Sequence, residues 1–204
     1  MKGNSRLGFI LAIFAAVGCG SLAVVQAITA PAIAMQSQKA LNESLRELFP
    51  DATSFEDISS SITSSSPAVK FEEAYLVKSA MAPLGVAIKA SGSSYGGTAK
   101  LLVGVGLARS IAGVKVLELS DTAGLGMNAM SDAYYVDKAN KITFPGQFKD
   151  KFITDSFEVK KDVVAITAAT ITSRSLTAIV KAASEAGAAW IESSAMAGAA
   201  PGGK

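Results

Sequence analysis

The sequence predicts an α+β domain carried behind one N-terminal transmembrane helix. Three features point there. A long uncharged apolar run opens the chain, strand-like segments fill its middle, and an amphipathic helix follows a hydroxyl-rich stretch near its end. Strands and helices mix without a βαβ rhythm, which separates the pattern from a doubly wound fold. Composition narrows the chemistry. Among 204 residues, 19 are Lys or Arg and 17 are Asp or Glu, for a net charge of +2. That even balance, with no basic cluster, argues against a nucleic-acid partner. The lone cysteine, Cys19, excludes an internal disulfide framework, and the lack of histidine excludes His-based triads and His metal sites.

The opening run has no charge between Arg6 and Lys39. As a helix rising 1.5 Å per residue, about 20 apolar residues cross a hydrocarbon core of roughly 30 Å. Residues 7–30 are long enough. Lys2 and Arg6 on the short flank place the N-terminus in the cytoplasm by the positive-inside rule, and the rest of the chain outside it. Two readings compete with retention: a signal peptide cleaved near Ala34, and a lipoprotein signal with its lipid on Cys19. Residues 39–49, KALNESLRELF, space Leu41, Leu45 and Leu48 as a short amphipathic helix that Pro50 ends. Residues 54–67 are serine-rich and read as a loop. The resulting division is residues 1–35 for the N-terminus and transmembrane helix, 36–68 for a juxtamembrane helix and linker, 69–192 for the main domain, and 193–204 for a flexible tail.

Within the main domain, residues 69–77 and 84–90 have strand character, and SGSSYGG at 91–97 reads as a flexible turn. Residues 99–107 and 111–119 form a hairpin pair across Arg109 and Ser110. DTAGLGMN at 121–128 and FPGQF at 144–148 are loops, and residues 153–159 read as a short strand. A helix from Ile171 or Thr172 to Trp190 carries Leu176, Ile179, Val180 and Ala183 on one stripe. The glycines of SSYGG and TAGLG do not form a dinucleotide fingerprint.

The chemistry concentrates in ITAATITS, residues 166–173, where Thr167, Thr170, Thr172 and Ser173 precede that helix. The plain reading is a capping region that satisfies free N–H groups. A helix N-terminus also suits an anion, because its N–H groups and dipole favour negative charge. Arg174 adds a cation, and the small Ala168 and Ala169 permit close approach of a large flat ligand.

These residues resemble a family, the FMN-binding subunits of ion-pumping redox complexes. The resemblance is strongest to the G subunit of the Rnf complex, with the C subunit of the sodium-translocating NADH:quinone reductase as a relative. The family motif is an aspartate, two residues, Ser or Thr, then Gly-Ala-Thr. Thr167 matches the hydroxyl position, Ala169 the alanine and Thr170 the final threonine; Ile171, Thr172, Ser173 and Arg174 continue the pattern. Ala168 replaces the motif glycine and Val164 the aspartate, with Asp162 two residues earlier. Asp121, Thr122, Gly124, Leu125 and Gly126 resemble a Glu-Thr-Pro-Gly-Leu-Gly loop, with Ala123 for proline. Tyr95-Gly96-Gly97 and the loop at 144–148 also match in order, so the resemblance covers roughly residues 70–190.

The resemblance implies an electron-transfer subunit of a membrane ferredoxin:NAD oxidoreductase complex, single-pass in the inner membrane. It implies FMN joined through its phosphate to Thr170, and partner subunits with iron–sulfur and flavin centres. Thr167, Thr172 and Ser173 are then expected near the phosphate or its ester. Asp121 and Thr122 are expected to contact the ribityl chain or ring. Gly124, Leu125 and Gly126 would lie against the isoalloxazine, and Tyr95, Phe144 and Phe148 would shield it. No independent turnover is expected, since the chemistry belongs to the flavin. Two alternatives stay open: the C-type component of the quinone reductase, and a structural anchor whose flavin site has decayed.

Overall fold

Four β-branched and alanine-rich segments in succession, joined by short turns, build the centre of the protein. In the computed structural model, which describes residues 2–198 and the side chains of residues 6–194, these are β2 (Val69–Lys78), β3 (Pro83–Ser93), β4 (Thr98–Gly106) and β5 (Ile111–Leu119). A short first strand, β1 (Ser54–Asp57), pairs with β2, so the sheet runs β1-β2-β3-β4-β5 with every pair antiparallel. Sequential hairpins need only short connections, and the β4–β5 turn is closed by Arg109 in the left-handed region at φ 60°.

The chain divides into two units, Met1–Asn42 and Glu43–Lys204. The first is helical throughout its described residues, as part of α1 (Lys2–Leu48). Its apolar side chains from Leu7 to Met35 are exposed, and this stretch is long and apolar enough to cross a membrane. The hydroxyls of Ser21 and Thr29 bond back to the carbonyls of Gly18 and Val25 at 2.9 Å each. That local bonding hides polar groups that lipid could not satisfy. In the second unit, residues 43–48 complete the helix. Leu48 and Phe49 sit over β5 and β4 at Gly113 and Gly104, where an added Cβ would come within 2.6 and 2.8 Å of them. Lys115 pairs with Glu47 at 3.0 Å beside this contact.

The long C-terminal helix α2 (Thr170–Gly198) covers the other face of the sheet. Leu176, Ile179, Val180 and Ala183 are essentially fully buried. At about 1.5–3 kcal/mol for each larger aliphatic side chain, this stripe supplies much of the force that seats the helix. Residues 120–169 run from the end of β5 at Leu119 back to its start, where Lys151 and Asp150 bond to the Ile111 backbone at 2.8 Å each, and they carry a small hairpin, β6 (Tyr135–Asp137) and β7 (Ile142–Thr143). Phe144 and Phe148 meet edge to face at 5.6 Å, and Phe157 stacks on Phe148 at 6.4 Å.

Several elements differ from the sequence expectation. The helix expected at 39–49 is the end of α1, which runs through Pro31 and meets no further proline or glycine before Leu48. The serine-rich loop contains β1 and a 3-10 turn at Ser59–Ser61. Helix α2 begins at Thr170 and runs to Gly198, past Trp190 and into the stretch read as tail; residues 199–204 of that stretch lie outside the described residues. The strand expected at 153–159 is a turn. Phe157 adopts φ 51°, and the Asp162 carboxylate accepts the N–H groups of Phe157 and Glu158 at 3.0 and 2.7 Å, so they cannot join a ladder.

Asp162 therefore organises the approach to the hydroxyl-rich segment. Burial raises its pKa, but the Glu158 N–H, the Ser156 hydroxyl, the Phe157 N–H and Lys151 outweigh that and hold it at about 2. A carboxylate depressed in the folded state contributes stability that is complete above its ordinary value of 3.8 and is lost as pH falls towards about 2. Asp162→Asn is expected to destabilise the protein by on the order of 1–2 kcal/mol at neutral pH. The gap from wild type should narrow as pH falls through that window, as followed by denaturant melts.

Candidate flavin site at the start of helix 2

The segment before α2 is held so that the helix must begin at Thr170. Ala169 N–H donates to the Ile166 carbonyl at 3.0 Å, and Ser173 N–H to the Ala169 carbonyl at 3.0 Å. The buried Ser173 hydroxyl accepts from Ile166 N–H at 3.0 Å and donates to the Ala169 carbonyl at 2.9 Å. Between them, Ala168 takes φ 57°. Upstream, Gln147 clamps the backbone of Val164, accepting its N–H at 2.7 Å and donating to its carbonyl at 3.1 Å.

This geometry leaves the first helical turn open. Among the described residues, the N–H groups of Thr170, Ile171 and Thr172 have no backbone acceptor, as the start of any α-helix requires. The half-buried Thr170 hydroxyl likewise has no hydrogen-bond partner among the described residues, and exposed Arg174, one turn on, forms no ion pair there. An unpaired nucleophilic oxygen, three free donors and a cation thus share one helix end.

A cleft of about 390 Å³ opens at this point, lined by Tyr95, Thr122, Leu125, Gly126, the 168–169 alanines and residues 170–172. Its size lies in the range of small-molecule sites, roughly 300–1,000 Å³. Gly124 at φ 76° and the bond from Leu125 N–H to the Thr122 carbonyl at 3.1 Å make the 121–126 loop a tight turn. Gly126 is pressed between loop and helix. A Cβ there would come within 2.5 Å of Asp121 and 2.7 Å of the Thr172 hydroxyl.

A second cleft, of about 420 Å³, shares Leu125 and Ala168 with the first and is lined also by Gly124, Asn128, Tyr134, Tyr135, Lys138 and Thr167. The Tyr134 hydroxyl accepts the Thr167 N–H at 3.2 Å. Of the residues singled out in the sequence, Tyr95, Thr122, Gly124, Leu125, Gly126, Thr167, Ala168, Ala169, Thr170 and Thr172 line one or both clefts. Asp121 and Ser173 line neither. Phe144 and Phe148, read as ring shields, are buried in the core instead, because their side chains point into the cluster with Phe157. Tyr134, Tyr135, Asn128 and Lys138 escaped the sequence reading. The adjacent tyrosines were its only visible signal, since the bond joining Tyr134 to Thr167 spans 33 positions.

The alanine at 168 is strained. An L-residue with a Cβ pays on the order of 1 kcal/mol or more in the left-handed region, whereas glycine does not. Ala168→Gly is expected to stabilise the fold by about 0.5–1 kcal/mol after the extra unfolded-state entropy of glycine is counted. Equilibrium denaturation is the measurement, and no gain would show that the turn is held without strain.

Comparison with known proteins matches this architecture. Residues 94–185 match the FMN-binding domain family, and residues 2–48 match the RnfG N-terminal region. The G subunit of the ion-translocating oxidoreductase complex of Vibrio cholerae serotype O1 (strain M66-2) is 32% identical over 187 residues, 87% of each chain. Its counterpart of the same description from Shewanella baltica (strain OS223) is 32% identical over 188 residues, 85% of this chain and 84% of its own. The G subunit of the proton-translocating ferredoxin:NAD(+) oxidoreductase complex of Clostridium ljungdahlii is 30% identical over 170 residues, 80% of each. With the N-terminal helix and the cleft-lining segments inside these matches, the chain belongs to the G-subunit family of ion-translocating oxidoreductase complexes, and residues 94–185 are its FMN-binding domain.

Proposed function

We propose that this protein carries FMN in a phosphoester bond to Thr170 and relays electrons within an Rnf-type ferredoxin:NAD oxidoreductase complex. One observation carries the reading: Thr170 lines the cleft at the helix end, and among the described residues its hydroxyl has no hydrogen-bond partner and the three N–H groups of residues 170–172 have no backbone acceptor. The donor set fits a flavin phosphate. A phosphodiester keeps one negative charge, which the N–H groups and the helix dipole favour and Arg174 offsets. Ala168 and Ala169 add no bulk beside it, and Leu125 and Tyr95 offer apolar surface to the rest of the group. Bound FMN supplies the one-electron chemistry; this chain binds, orients and partly shields it.

The replacement of the motif aspartate does not weaken this proposal. Val164 is exposed, and its backbone rather than its side chain is held, by Gln147. Asp162 does not stand in for it, since that carboxylate is committed to its own turn. The left-handed turn persists with alanine at 168, which supports a working flavin site over a decayed one.

Thr170→Val keeps the branched shape and removes the oxygen. It is expected to fold as wild type while losing all covalent flavin. Denaturing gels read by flavin fluorescence test this: a fluorescent band for wild type and a dark one for the variant. A dark wild-type band from an active, flavin-replete complex would favour a purely structural role. Co-purification with a quinone reductase that lacks a ferredoxin-like component would favour the C-type reading instead.

We further propose that α1 crosses the inner membrane once, with its N-terminus in the cytoplasm and residues from Gln36 onward outside. The Lys2 and Arg6 flank supports that orientation. Protease added to spheroplasts should remove the FMN-binding domain. Protection there, with cleavage only in inverted vesicles, would reverse the orientation.

A further inference from the structure

Asp121 accepts three hydrogen bonds from segments that line the first cleft, yet it lines neither cleft itself. Its Oδ1 accepts the Gly96 N–H at 2.7 Å. Its Oδ2 accepts the Ser94 hydroxyl at 2.9 Å and also the Thr172 hydroxyl. These contacts join three different segments. Ser94 and Gly96 are in the β3–β4 turn that carries Tyr95; Asp121 opens the loop that carries Thr122, Leu125 and Gly126; Thr172 is in the first turn of α2, two residues after Thr170. Each segment contributes to the wall of the 390 Å³ cleft. The packing behind that wall leaves no slack, since a Cβ on Gly126 would overlap both Asp121 and the Thr172 hydroxyl, and a Cβ on Gly96 would come within 2.3 Å of the Ser120 carbonyl oxygen.

We infer that Asp121 is a positioning residue for flavin attachment, the step in which the Thr170 oxygen gives up its proton to solvent and bonds to the flavin-side phosphorus of a flavin phosphoanhydride donor, whose P–O–P bond breaks and releases the remaining phosphate half of the donor. It fixes the first turn of α2, and with it the Thr170 hydroxyl, against the two loops that form the rest of the cleft. The inference rests on Thr170 as the attachment site. Its physical basis is that one carboxylate accepts three directional bonds from three separate segments. Two hydroxyls and an amide from the turn and the helix are drawn together by that common acceptor. Ser94 makes the idea separable from a direct contact with flavin, because Ser94 lines neither cleft and its hydroxyl donates to Asp121.

The experiment follows adduct formation on the full-length chain, expressed with its complex, by intact mass at intervals after induction. Thermal melts of the same samples report the fold. Asp121→Ala is expected to slow adduct appearance by roughly tenfold or more, the scale on which small misplacements cost rate, at a temperature where it remains folded. Asp121→Asn keeps one acceptor oxygen for Gly96 and should fall between Ala and wild type. Ser94→Ala should slow attachment modestly and add nothing when combined with Asp121→Ala, the non-additivity expected of groups acting through one contact. Wild-type attachment rates in folded Asp121→Ala and Asp121→Asn would overturn the inference while leaving Thr170 in place. Rates that fall only in proportion to the unfolded fraction would also overturn it, by showing a purely structural role. No adduct on wild type would overturn the Thr170 reading and this inference with it.

Discussion

The point at which α2 begins governs the rest of the site. A helix starting one residue earlier or later would change which first-turn N–H groups are free, and a one-residue slip of its register on the sheet would turn every side chain by about 100°, given 3.6 residues per turn. The start is fixed from both directions. Leu176, Ile179 and Val180 seat the helix on the sheet. The turn before it, with Ala168 left-handed and the Ser173 hydroxyl bridging Ile166 and Ala169, prevents upstream extension. The outcome is a first turn whose N–H groups and Thr170 hydroxyl face a cleft instead of the protein interior.

Around that fixed end, the fold gathers segments remote in sequence. The β3–β4 turn, the 121–126 loop and the 166–169 turn come from three connections at one end of the sheet. Asp121 bonds to the first and to the helix, and Tyr134 pins the third. A site built on connections at the end of a rigid sheet combines precision with access. Access suits a relay protein whose cofactor must exchange electrons with its neighbours.

Much of this was legible in the sequence, for identifiable reasons. Strands β2, β4 and β5 announce themselves by dense apolar and β-branched residues between turn signals, and α2 by its stripe. The hydroxyl-rich start of α2 was readable because capping chemistry is local. What escaped was non-local or conformational. The 153–159 segment has strand composition, but Asp162 takes the N–H groups a ladder would need. The serine-rich stretch has loop composition, yet β1 forms because the free edge of β2 accepts it. Phe144 and Phe148 are aromatic residues in a loop, and only the surrounding core decides that they turn inward. Asp121 reads as a polar loop residue beside a ligand, and the three donors it accepts from Ser94, Gly96 and Thr172 lie too far away in sequence for any local pattern to show them. The second cleft depends on a bond from Tyr134 to Thr167 that no local pattern encodes.

The central claim is that the oxygen placed at the helix start, Thr170 Oγ, is the one that bears the flavin. Peptide fragmentation of the wild-type chain, isolated from its membrane complex, tests it most directly. Thr167, Thr170, Thr172 and Ser173 lie within seven residues of one another, so fragment ions must separate them. The account predicts a single adduct of FMN less one water on Thr170, with the other three hydroxyls unmodified. An adduct on Thr167 or Thr172, or a peptide with none in a flavin-replete complex, would contradict it.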